Sequence, residues 1–186
     1  NLDKLRNTLR TTLIDIWEYV IPIWKISGLF KRIKSKQDLE NFIQERSAHV
    51  AQTTLYGYLK TRIGVKYIAM MEDEVFLKSI NIAKWNIYVV ALADCAFYVF
   101  SYLISEKNLK ENDCKEIFLN ILENEKKNGL DDEIFDRGKK NFLERLNKVN
   151  FSNYHLNDPF KESGQALYYW SPIADELKSL DKKIVL

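Results

Sequence analysis

Glycine and proline are scarce. The chain has 186 residues and only 6 Gly and 3 Pro. Sandwiches, barrels and glycine-rich nucleotide folds need many more turns, so the shortage argues against them. Cysteine is equally thin. Cys95 and Cys114 cannot build a disulfide framework, which points to a reduced, cytoplasmic setting. Only two histidines occur, His49 and His155, and no Glu-x-x-His repeats, so neither a di-iron bundle nor a zinc cluster is expected. No glycine-rich phosphate loop and no Gly-x-Ser-x-Gly elbow is present, and no cofactor is expected. No signal peptide is expected either, because Lys4, Arg6, Arg10 and Asp15 interrupt the first apolar stripe.

What remains is helical. Hydrophobic residues make up 46% of the chain and charged ones 29%, a mix suited to one folded domain over residues 1–186. Leu2, Leu5, Leu9, Leu13, Ile16, Trp17 and Val20 fall at helical spacing, and Pro22 should end that helix. Residues 25–37 read as a basic linker. A second helix should start near Asp38, acting as its cap, and stop near Gly64. Residues 65–73 fit either a short helix or a turn. The most apolar segment, about 75–105, should be a long central helix. Residues 113–128 and a helix capped by Asp131 make a hairpin broken at Gly129. Residues 150–164 carry loop chemistry. A last helix over about 165–180 should kink at Ser171-Pro172. The expected fold is an all-α bundle of six to seven helices around the 75–105 helix.

Charge is nearly balanced, with 28 Lys plus Arg against 26 Asp plus Glu, so the whole chain is no polycation. The basic excess sits in residues 1–37. There Lys31, Arg32, Lys34 and Lys36 are candidates for contacting an anion, nucleic acid or an anionic membrane surface.

One polar constellation stands out. His49, Gln52, Thr53 and Tyr56 share a helix face, and Lys84, Tyr88, Cys95, Tyr98 and Tyr102 form a stripe on the central helix. Asp94 is the lone charge between Ile87 and Ile104, so it must be protonated, paired or hydrogen-bonded. Its available partners are His49, Arg46, Arg62, Lys84 and the tyrosine hydroxyls. If the two helices pack, Asp94 and His49 become catalytic candidates. Gln52, Tyr56, Lys84 and Tyr98 would then orient a ligand, and Arg62 would hold an anion. His49 paired with Cys95 or Cys114 is a further nucleophilic arrangement that spacing leaves open. The structural alternative makes Asp94 a buried tie and His49 an ordinary helix residue. The 18 residues Ile87–Ile104 just reach membrane-spanning length, but Asp94 at their middle and amphipathic neighbours argue against a span.

The stretch AHVAQTTLYGYLKTR from Ala48 to Arg62, followed by SINIAKW from Ser79 to Trp85, resembles segments of an uncharacterised helical protein family of alphaproteobacteria. The resemblance spans about residues 45–105. It implies a bacterial, cytoplasmic setting and carries over no catalytic residue.

Three functions are therefore in play. The first is a helical binding or scaffolding protein, recognising a protein partner or small anionic ligand through the 45–66 helix and the adjoining basic loop. Self-association into a homo-oligomer is compatible with it. The second is a small-molecule hydrolase or transferase around Asp94 and His49. The third is nucleic-acid or membrane-surface binding by the basic linker over 25–36.

Overall fold

The computed structural model describes residues 33–178. The expected first helix over 2–24, most of the 25–37 linker and the candidates Lys31 and Arg32 lie outside them. Residues from Lys36 onward form a unit of their own. Among the described residues there are helices and no strands. Five helices exceed one turn, fewer than the six to seven expected of the whole chain: α1 Lys36–Ile63, α3 Glu74–Ser105, α4 Glu111–Lys127, α5 Asp132–Leu146 and α6 Lys161–Trp170. Single turns, α2 Tyr67–Met70 and α7 Asp175–Lys178, complete the set with two 3-10 turns, Gly64–Lys66 and Tyr154–Leu156.

Local chemistry sets most of the boundaries. The Asp73 carboxylate accepts from Phe76 N at 2.9 Å and caps α3, and Asp131 does the same for α5 through Glu133 N at 2.9 Å. Gly64 and Gly129 take φ of +61° and +99°, which stops α1 and turns the α4–α5 hairpin. Three boundaries differ from expectation. Helix α1 begins at Lys36, so Asp38 lies in its first turn, where a carboxylate still favours the helix dipole. Helix α6 begins at Lys161, inside the expected loop. Ser171-Pro172 ends α6 outright, because Ser171 is extended before a proline that cannot continue the ladder.

Helix α3 is the axis and packs against α1, α4, α5 and α6. By length and apolarity it alone among the described residues could cross a membrane, and 67% of its most apolar window is buried inside the protein. Its core face carries Ile80, Ala83, Ile87, Leu92, Ala96, Phe97 and Phe100. Helix α1 meets it with Leu39, Ile43, Ser47, Ala51, Leu55 and Leu59, an edge stepping by four residues. Phe142 of α5 stacks between Phe118 of α4 and Phe97 of α3, with ring centroids 3.7 and 4.9 Å away.

Helix α1 also runs alongside α4 through a polar ladder. Lys36 Nζ donates to Asp113 Oδ1 at 2.9 Å and to Glu116 Oε2 at 3.2 Å. Asn120 Nδ2 donates to Glu40 Oε1 at 2.9 Å, and Gln44 Nε2 to Glu125 Oε1 at 2.7 Å. Glu125 is buried, and Tyr88 Oη and Asn128 Nδ2 donate to it as well, so three polar donors rather than a cation hold its carboxyl group.

Helix α5 approaches α3 closely at Gly138, where an added Cβ would lie 2.4 Å from Val89 Cγ1. Gly138→Ala is expected to cost about 1–3 kcal/mol in overpacking, with about 1 kcal/mol recovered from helix propensity. Denaturant midpoints measure the net loss. In a Val89→Ala background the same substitution should cost nothing, and an equal loss in both backgrounds would sink the explanation.

Candidate functional site

Asp94 is fully buried, as its apolar surroundings in sequence imply. Its partners are not those the sequence suggested. Arg145 Nη2 of α5 donates to Oδ1 at 2.6 Å, and Ser163 of α6 donates to Oδ2 through both its backbone N, at 2.8 Å, and its hydroxyl, at 2.6 Å. Burial pushes the carboxyl above the usual carboxylate range, while the Ser163 hydrogen bonds and the Arg145 charge partly offset that push. Arg145 Nη2 also donates to Tyr154 Oη at 2.9 Å, and that hydroxyl donates to the Pro159 carbonyl at 2.9 Å. The Arg145 guanidinium lies 4.8 Å from the centroid of the Phe97 ring.

The result is a cap supplied from another helix. Phe160 stands at the N-cap of α6 and offers no side-chain acceptor, so Asp94 satisfies the free N–H of Ser163 instead. Both carboxylate oxygens are taken. Arg145, Ser163 and Tyr154 are the residues that sequence reading missed. A usable signal existed: a helix start without a local cap, together with an apolar run holding one unpaired acid.

The polar face of α1 is a single face, as the spacing predicts, but it points outward. His49, Gln52 and Thr53 are exposed and Tyr56 is half-buried. The reason is the competing edge from Leu39 to Leu59, which buries the opposite side. Helices α1 and α3 do pack, yet His49 and Asp94 are not brought together. Arg62 lies over the Tyr58 ring at 5.8 Å and Lys84 over Trp85 at 5.3 Å. Tyr98 is exposed and rests against Phe160 with centroids 5.6 Å apart. None of the five ligand-binding candidates lines the groove described below. Lys34 is exposed, and Lys36 is engaged by Asp113 and Glu116.

Two nucleophile arrangements can be weighed directly. Burial pushes the Cys95 thiol up and the Cys114 thiol up to about 12, which disfavours the reactive thiolate. Ser101 Oγ lies 2.7 Å from His155 Nδ1, a contact no sequence spacing announced. But Ser101 is fully buried and its Oγ also lies 2.6 Å from the Phe151 carbonyl, where it donates, and 3.2 Å from His155 N, from which it accepts. The trio fastens the 151–155 loop to α3. Among the described residues no group of three His, Cys, Asp or Glu is placed to hold a metal ion.

The corner between α1 and α3 is different in kind. Here Val65, Ile68 and Val75 are 99%, 56% and 74% exposed. The backbone is not loose: Met71 N, Glu72 N and Asp73 N donate to Tyr67 O, Ala69 O and Met70 O at 3.0, 3.2 and 3.1 Å. Apolar side chains are thus held in water by a fixed frame. Beside them is an open groove of about 680 Å³ floored by Ala69, Met70, Phe76 and Pro172, with Lys66 and Asp73 among its lining residues. Comparison with family models, with curated proteins and with solved structures gives no match.

Proposed function

We propose that the chain is a helical binding module that recognises a macromolecular partner through the end of α1 and the corner over residues 64–75. The observation that carries this reading is the exposure of Val65, Ile68 and Val75 on a hydrogen-bonded frame. Exposed apolar side chains grouped beside a groove mark interaction surfaces more often than catalytic ones. The outward face of α1, with His49, Gln52 and Thr53, extends the surface in polar form. A reducing, cytoplasmic setting suits the two unpaired thiols.

A photo-crosslinking residue at position 65 tests the proposal in cells of the source. It is expected to yield a crosslinked adduct that the same residue at the exposed position 54 does not. The adduct should vanish when Ile68→Asp and Val75→Asp are introduced. Equal yields from positions 65 and 54 would remove the corner as the recognition surface.

A further inference from the structure

We infer that the partner seated on this corner is a second copy of the chain, docked about a two-fold axis. The inference rests on the binding-module reading above and names its occupant. The corner is apolar at its centre and oppositely charged on its two flanks. Lys66, with Arg62 and Lys60 behind it, stands on the α1 side, and Glu72-Asp73-Glu74 stands on the α3 side. Lys66 and Asp73 line one groove. Lys66, Glu72 and Glu74 are exposed and enter no ion pair among the described residues.

A two-fold axis sets each patch against its own inverse, so one copy's Lys66 side meets the other's 72–74 side, twice. A patch of one sign would repel its own copy. This one attracts it at both ends, while Val65, Ile68 and Val75 close over each other at the centre. A uniformly anionic partner, such as a nucleic acid or an acidic membrane, is repelled by the 72–74 flank. A uniformly cationic one is repelled by Lys66 and its neighbours. The polarised, nearly neutral corner fits its own copy best.

Sedimentation velocity over a wide concentration range tests the inference on the full chain. Wild-type protein is expected to dimerise. Lys66→Glu alone sets acid against acid, and Glu72→Lys alone sets base against base, so each should weaken dimerisation by about tenfold or more. Mixing the two variants should restore a dimer, because each then supplies the charge the other lacks. Both positions are exposed and neither side chain makes a capping hydrogen bond, and far-UV circular dichroism checks that the helices persist. A wild-type monomer throughout, or a dimer indifferent to both charge reversals, overturns the inference. If the protein stays monomeric while the crosslinker at position 65 captures a different protein, the second copy is excluded and the binding-module reading stands. If that position captures nothing, both fall.

Discussion

Asp94→Ala is expected to destabilise the fold by about 3 kcal/mol, chiefly by stranding the groups that now converge on the carboxylate. Arg145 would lose its counter-charge and Ser163 its acceptor, leaving α6 with an unsatisfied N-terminus. The loss is placed toward the low end for a buried pair because the Arg145 side chain is 27% exposed and can turn toward water. Asp94→Asn keeps one acceptor oxygen and should fall between the alanine variant and the wild type. The pH dependence has a defined sign. A carboxyl raised by burial keeps its proton longer in the folded state than in the unfolded one, so its contribution is full below the ordinary carboxylate pKa of about 4. That contribution declines as pH rises through the raised folded value. The gap between wild type and Asp94→Asn, read from urea midpoints, should therefore narrow as pH rises from about 4. An alanine variant within about 0.5 kcal/mol of wild type would refute the cap.

Phe142→Ala is expected to cost about 3–5 kcal/mol and to be the most damaging single truncation in α5. Phe142 is fully buried and its ring is stacked on both Phe118 and Phe97, so its removal opens a cavity at the point where α3, α4 and α5 meet. The neighbouring rings are large and stacked, and cannot collapse into the space without leaving their own contacts. Phe142→Leu should recover much of the loss by filling volume while losing the ring contacts. Thermal and urea unfolding measure both. An alanine variant losing under 1 kcal/mol would mean that the three helices do not share this centre.

The Asp131 cap and the stops at Gly64 and Gly129 were legible because their causes are local. Asp131 and Gly129 act on residues within a few positions of themselves, and each does what its chemistry demands. The burial of Asp94 was legible too, since an acid inside Ala91–Phe97 has no route to water. Its partners were not, because Arg145 and Ser163 lie 51 and 69 residues away and only the packing of α5 and α6 on α3 delivers them. The shared face of His49, Gln52 and Thr53 was legible, but not that it turns to solvent rather than toward Asp94. The Leu39–Leu59 edge, with Ser47 and Ala51 small at its middle, outcompetes them for the core. The exposure of Val65, Ile68 and Val75 was not legible, because residues 65–73 fit no periodic pattern.

The ladder between α1 and α4 also decides which alignments of the two helices are forbidden. Its rungs recur every four residues on α1, just over one helical turn, so the nearest wrong alignments are slips of about 6 Å in either direction. A slip one way carries Glu40 to the level of Asp113 and Glu116. A slip the other way carries it to the level of the buried Glu125. In both cases carboxylate meets carboxylate, at the surface beside Asp113 and Glu116 and away from water beside Glu125. Glu40 thus acts as a register key, and a helix pair whose apolar edge alone would tolerate sliding is held to a single alignment.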